Sequence, residues 1–209
     1  MTRLAWILAA VFILTACARP PVNVIGVDNP QVPAASVAGA VRETVYVATS
    51  RQRVEDPTVL FGKGRVTDDL NFFRVEVSIP PEHQSGMIER PEFLPPDPRK
   101  DFLILDPEII ADKTSFTRSL DRELAARPVA ESDTMLFVHG YNTDLPLAIM
   151  RAAQLKHDSG FEGVPVVFAW ASKAKTTGYV YDLNSALQAR EQIDDLRIEI
   201  IDSRSVSAG

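Results

Sequence analysis

Residues 139–142 read His-Gly-Tyr-Asn and directly follow the apolar run TMLFV at 134–138. Such a run is typical of a strand buried on both faces. A glycine in the next loop allows close backbone approach and unusual backbone dihedrals. The N–H groups of such a loop are able to bind the oxyanion that forms when a nucleophile attacks an ester carbonyl. The four residues alone leave two alternatives open, an oxyanion-binding loop and a simple polar turn.

A nucleophile for such a loop is hard to find. The serine of a hydrolytic elbow sits in a Gly-x-Ser-x-Gly turn between a strand and a helix, and this motif does not occur in the sequence. The nearest approximation is the last five residues, SVSAG, with Ser207 at the centre and Ser205 replacing the first glycine. Because the chain stops at Gly209, no helix follows to hold an elbow there. Ser207 is therefore a candidate nucleophile with little support.

The three histidines give no base for a downstream serine. They are His83, His139 and His157, and none follows residue 157, whereas the usual chain order is serine, acid, histidine. We expect His139 to shape the loop by hydrogen bonding, His157 to lie near a helix end, and His83 to face solvent. A different triad order remains possible in principle.

The N-terminus has the features of a secretory signal. Arg3 precedes an apolar stretch from Leu4 to Leu14, which is too short to span a bilayer comfortably. The ending LTAC resembles the bacterial lipobox, which implies lipidation at Cys17; a plain signal peptide with an incidental cysteine is the alternative. The resemblance implies a bacterial cell-envelope lipoprotein, anchored to the membrane through Cys17 and facing the periplasm from the outer membrane.

The composition of the chain limits the kinds of partner and binding site that it could have. The chain has 209 residues, a net charge of −6 and one cysteine. This balance does not predict a nucleic-acid partner. A single cysteine excludes an intrachain disulfide and a cysteine-rich metal site, and no motif suggests a cofactor. We divide the chain into a lipoprotein signal (1–16), a proline-containing flexible tether (17–41) and one domain (42–209).

Hydrophobic periodicity predicts the elements of the domain. Strands are expected at TVYVATS (44–50), at RVEVSI (74–79, antiparallel or at an edge) and at FLIL (102–105), with a loop over 80–101 that holds six of the fifteen prolines. A helix with Thr114 or Ser115 as N-cap follows. The second half begins with strand 134–138, followed by a helix with Asp144 as N-cap and Gly160 just past its end. A second buried strand (164–170), a helix (181–196) and a candidate strand (197–201) come next. This order predicts a mostly parallel α/β sheet with helices around it and an antiparallel N-terminal portion.

Five segments together resemble a family of bacterial α/β hydrolases of the esterase/lipase-like kind. They are VYVATSR, VSIPPEHQSGMIERP, FVHGYNT, RAAQLKHDSGFEGVPVVFAW and GYVYDLNSA, and the resemblance runs from about Val45 to about Arg190. It implies a partial α/β-hydrolase fold, with Gly140, Tyr141 and Asn142 as the oxyanion-hole candidates. In the family, the nucleophile elbow, the acid and the histidine follow the region of resemblance.

Two functions remain open. The first is an esterase-like lipoprotein, acting on a small ester or acyl substrate, whose chain as given stops before its catalytic residues. The second is a non-enzymatic envelope lipoprotein that serves as a binding or structural module. A weaker third possibility is that a separate polypeptide supplies the missing half. A sheet cut after three parallel strands would expose an edge, so we expect a marginally stable or aggregation-prone product.

Overall fold

The structure is a computed structural model that describes residues 22–66 and 69–207. The predicted signal, residues 1–16, and Cys17 lie outside the described residues. The strands are β1 (Val41–Thr49), β2 (Arg51–Arg53), β3 (Phe61–Arg65), β4 (Asn71–Ile79), β5 (Leu103–Ile110), β6 (Thr134–Val138) and β7 (Val164–Ala169). The α-helices are α1 (Lys113–Ala125), α2 (Leu145–Ser159) and α3 (Tyr179–Ser207). None of these helices is both long enough and apolar enough to cross a membrane.

Five strands form one mixed sheet in the order β5-β4-β1-β7-β6. Strand β7 pairs in parallel with both β1 and β6, while β4 pairs antiparallel with β1 and β5. Strands β2 and β3 form a separate antiparallel pair. The predicted α/β sheet with an antiparallel N-terminal portion is confirmed. Strand β4 is antiparallel, as predicted, and lies inside the sheet.

Helices cover both faces of the sheet. Successive residues of the central strand β1 point to opposite faces, so this strand contributes to two separate cores. Val45 and Val47 of β1 belong to the core beneath α2, which also contains Ile149. Tyr46 and Ala48 belong to the core shared with α1 and α3. The result is a three-layer arrangement with the sheet in the middle.

Local capping fixes the ends of the first two helices. In α2, Asp144 accepts a hydrogen bond from the Leu147 N–H and Gly160 ends the helix with φ 66°, both at the predicted positions. In α1, the N-cap is Asp112, whose carboxylate accepts from the Ser115 N–H at 2.7 Å. The prediction of Thr114 or Ser115 is therefore wrong, because the extended backbone at Asp112 lets its carboxylate reach the first turn.

The candidate strand at 197–201 is wrong, because α3 continues through it to Ser207. Five alternating residues are a short signal, and no glycine or proline separates them from the helix at 181–196. Without such a breaker the helical hydrogen-bond ladder continues. Ser207 is consequently the last residue of a helix, and the residues directly before it are helical and do not form a strand.

The tether prediction is wrong for residues 22–40, which pack onto the domain. Ile25 is fully buried in the core under α2. Its N–H donates to the Thr58 carbonyl at 2.7 Å, and the Gly26 N–H donates to the Ile104 carbonyl at 2.7 Å. Proline and small residues suggested a linker, but one large apolar side chain and satisfied backbone groups fix the segment in place.

Strand β6 forms one edge of the sheet and is only partly buried along its length. Strand β7, one position further in, is buried at all six residues. Full burial was predicted for both strands and is confirmed for β7 only. Strand β6 is less buried because it lies at the edge of the sheet, where the helices cover it less. The predicted low stability of such an edge stays a prediction.

Replacing Ile25 with alanine tests whether the N-terminal segment belongs to the domain. We expect Ile25→Ala to lower the free energy of unfolding by about 2–5 kcal/mol, because a buried side chain leaves a cavity. Urea denaturation of the full chain measures the loss. Val129→Ala is the control, since Val129 is 92% exposed, and we expect almost no change. Equal stabilities of the two variants would restore the tether interpretation.

Candidate functional site

The loops that follow β1, β6 and β7 meet at one edge of the sheet. These strands run parallel, so their carboxyl ends lie side by side. In open α/β sheets this edge is where ligands bind. The sequence brings there Ser50 and Arg51 after β1, residues 139–143 after β6, and residues 170–175 after β7.

His139 joins the β6 loop to the β7 loop. Its Nε2 lies 3.0 Å from the Trp170 carbonyl oxygen and its Nδ1 lies 2.9 Å from the Gly140 carbonyl oxygen. The two rings stack at 4.8 Å, and the Trp170 indole N–H donates back to the His139 carbonyl at 2.9 Å. The pair therefore fixes the loop at its first residue.

The surroundings of His139 do not suit a general base. The residue is only 4% exposed, and both ring nitrogens face carbonyl oxygens. Burial lowers its pKa below the ordinary 6.5, and the nearby Arg51 cation acts in the same direction. A neutral ring donates one hydrogen bond to one of these carbonyls, so its contacts are those of a residue that shapes the loop.

Residues 140–142 form the outer part of the loop. All three are exposed, and a methyl group built on Gly140 would meet no atom within 4 Å. Asn142, and not Gly140, has the left-handed backbone conformation, with φ 57°. Asparagine tolerates this conformation better than most residues. The space in front of Gly140 is therefore open to a ligand.

The Tyr141 side chain leans toward the start of α3. Its hydroxyl donates to the Lys175 carbonyl at 3.2 Å, and its ring meets the Tyr179 ring edge-on at 5.6 Å. These contacts hold the loop from its outer side.

Arg51 lies under the loops as a buried cation with 2% of its surface exposed. Its guanidinium donates to the Thr143 carbonyl at 3.0 Å and to the Ser172 carbonyl at 3.1 Å. Burial lowers the pKa of the Arg51 guanidinium to about 10, and the carboxylates of Asp144 and Asp182 act in the opposite direction. At neutral pH it remains a cation, and it links the ends of β1, β6 and β7.

Asp182 anchors the first turn of α3 to the β7 loop. Its buried carboxylate accepts from the Ser172 hydroxyl at 2.6 Å and from the Lys173 N–H at 2.7 Å. The Asn142 N–H also points toward it, at 3.5 Å, which is at the long limit for a hydrogen bond. An anion bound by the Asn142 amide would have to compete with this carboxylate.

The described residues do not assemble a serine–histidine pair. None of the three histidines in this part of the chain is hydrogen bonded to a serine hydroxyl; His83 and His157 lie together at the far end of α2. His157 occupies the last turn of α2, as predicted. Within the same residues, no group of three or more His, Cys, Asp or Glu side chains could hold a metal ion.

The sequence did not single out Arg51 or Asp182. Arg51 comes two residues after the last residue of β1, and its position just beyond a buried strand was the one available signal. Asp182 lies in the first turn of α3, where a carboxylate ordinarily stays at the surface and interacts with the helix dipole. Its burial depends on contacts with a loop ten residues away.

Replacing Arg51 with lysine tests how far the loops depend on it. Lysine keeps the charge but lacks the planar fork that reaches two carbonyls. We expect Arg51→Lys to destabilise the chain by about 1–3 kcal/mol, the cost of leaving buried carbonyls without donors. Arg53→Lys, at an exposed position of the same strand, is the matched control. Urea denaturation of both variants measures the difference, and equal losses would contradict a special role for Arg51.

Comparison with known proteins adds one finding. Residues 112–207 match the model of a family described as "Alpha/beta hydrolase of unknown function (DUF900)". The matched range begins at the N-cap of α1 and ends with α3, so it contains the 139–142 loop. No curated protein and no solved structure gives a significant match. The mixed sheet flanked by helices agrees with this match: residues 112–207 are similar to a family of α/β hydrolases.

Proposed function

We propose that this chain serves ester hydrolysis, as an esterase- or lipase-like hydrolase in which residues 139–142 bind the oxyanion. The observation that carries the proposal is the exposure of residues 140–142 on a loop whose base is held by His139 and Arg51. Backbone donors are effective in an oxyanion hole when they are fixed before charge develops. The contacts of these two side chains supply such fixation.

The chemistry assigned to the loop is the stabilisation of a tetrahedral intermediate. When a nucleophile adds to the carbonyl of a small ester or acyl substrate, negative charge collects on oxygen, and the N–H of Tyr141 or Asn142 would donate to it. The open space in front of Gly140 would accommodate the substrate carbonyl.

The nucleophile and its base are assigned to a region outside the described residues. Ser207 ends a helix and therefore lacks the strand-to-helix turn that exposes a hydrolytic serine. Reading the coding DNA downstream of the Gly209 codon in all three frames tests this assignment. A Gly/His-x-Ser-x-Gly elbow followed by a histidine codon in a shifted frame would support it.

A second candidate function is a non-enzymatic binding or structural module of the envelope. It is favoured by the contacts of the histidines, since among the described residues none of them is hydrogen bonded to a serine hydroxyl. Under this alternative, the 139–142 loop would be a structural turn without affinity for an anion.

Binding of a tetrahedral anion separates the two candidates. We expect methyl methylphosphonate, added to the ¹⁵N-labelled full chain, to shift the amide resonances of Gly140, Tyr141 and Asn142, because this anion mimics the charge of the intermediate. Tyr141→Pro, which removes an amide N–H, should weaken the shifts, whereas Tyr141→Phe should keep them. Shifts confined to other residues, or none, would favour the non-enzymatic module.

An ester-hydrolysis assay on the same samples examines Ser207. We expect Ser207→Ala to leave any hydrolysis of p-nitrophenyl acetate unchanged, because the serine ends a helix. Strong turnover that disappears in this variant would contradict the assignment of the nucleophile elsewhere.

We further propose that Cys17 is lipidated and holds the protein at the periplasmic side of a bacterial outer membrane. The support is the LTAC ending of the apolar stretch. Expression in bacteria fed an alkyne-tagged palmitate should label the full chain and place it in the membrane fraction, and Cys17→Ala should lose both. Because Cys17 is the only cysteine, labelling that persists in the variant would count against the lipoprotein.

A further inference from the structure

Residues 80–101, which we call the strap, join β4 to β5 and contact both ends of helix α2. At the start of α2, Arg90 donates to the Asp144 carboxylate at 3.2 Å. At the end of α2, His83 meets Asp158. The prediction that His83 faces solvent is wrong, because its side chain is only 5% exposed.

His83 lies between two carboxylates. Its Nδ1 is 2.8 Å from a Glu89 oxygen and its Nε2 is 2.9 Å from an Asp158 oxygen. An ionised carboxylate only accepts hydrogen bonds, and a neutral imidazole has only one N–H to donate. Only the protonated ring satisfies both contacts at once. Without that proton, one ring nitrogen would face a carboxylate with no hydrogen between them.

The same two carboxylates hold the strap backbone. The second Glu89 oxygen accepts from the Gln84 N–H at 3.1 Å, and the second Asp158 oxygen accepts from the Gly86 N–H at 2.8 Å. Glu89 belongs to the strap itself, whereas Asp158 belongs to α2. The contacts of Asp158 therefore attach the 83–86 turn to the helix.

Few other groups face the ring. From α2, the His157 ring lies 5.6 Å away, and the Gln154 amide donates to Asp158 at 2.9 Å. From the residues just before β5, Phe102 meets the ring edge-on at 5.1 Å and brings no charge. Glu82, next to His83 in the strap, is exposed. The nearest charges are thus the two carboxylates, whose mutual repulsion the imidazolium offsets.

We propose that the proton on His83 is a pH-sensitive latch that fastens the 83–86 turn of the strap to the end of α2. Loss of the proton leaves two neighbouring carboxylates without a cation between them and weakens the attachment, so that the Gly86 N–H is the remaining contact of the turn with Asp158. The attachment through Arg90 does not depend on this proton, so the far end of the strap stays in place.

The direction of the pKa shifts agrees with this geometry. Burial of the His83 ring acts to lower its pKa, but the hydrogen bonds to Glu89 and Asp158 outweigh burial and raise it above 6.5. For Asp158, the Gly86 N–H and His83 outweigh burial and lower the pKa to about 2. Because the His83 pKa is raised on folding, the stabilisation is complete below pH 6.5 and is lost as the pH rises through the folded-state pKa.

An NMR titration of the full chain between pH 5 and pH 9.5, which follows the His83 ring protons and the backbone amides, tests the latch. We expect the His83 ring to titrate with a midpoint above 6.5, and the amide resonance of Gly86 to move with the same midpoint. Asp158→Asn should shift the His83 midpoint down and uncouple the Gly86 resonance from it. His157→Gln, which replaces the neighbouring ring without touching either carboxylate, should leave the coupled titration in place.

Two results would overturn the latch: a His83 midpoint at or below 6.5, or a Gly86 resonance that does not follow the His83 titration. Both are measurable in the unmodified protein, so the test stands even where a variant fails to fold.

Discussion

A buried cation beneath three strand ends organises the carboxyl edge of the sheet. Parallel pairing brings the ends of β1, β7 and β6 together, and the Arg51 guanidinium bonds to the carbonyls of Thr143 and Ser172. Taking a cation out of water is costly unless its donors are satisfied. The two hydrogen bonds hold the loops with these carbonyls turned toward the guanidinium, and they support the neighbouring 139–142 backbone.

Two little-exposed histidines have pKa values that shift in opposite directions. His139 faces two carbonyl oxygens beside the Arg51 cation, and burial lowers its pKa. His83 is also little exposed, but it faces two carboxylates, and its pKa is raised. Desolvation penalises the charged form in both cases. The charge of the hydrogen-bond partners decides the direction of the pKa shift. Neutral carbonyl partners suit His139 to fixing a loop, whereas carboxylate partners suit His83 to responding to pH.

The proline-containing segments are packed parts of this domain. Residues 22–40 place Ile25 in the core, and the strap is attached to both ends of α2. Prolines restrict the unfolded chain, so ordering such segments costs less entropy than their irregular appearance suggests. Both segments lie on the α2 side of the sheet, where Ile25 shares a core with β1, β4 and β5.

The sequence by itself determined most of the strands, the three helices, the caps of α2 and the α/β class, because hydrophobic period and capping are local signals. It also identified the 139–142 loop. Tertiary structure decided what depends on distant partners: the burial of Arg51 under loops about 90 and 120 residues away, the two carboxylate partners of His83, and the packing of Ile25. It also decided the helical state of 197–201, since five alternating residues suit either element until the helix before them continues.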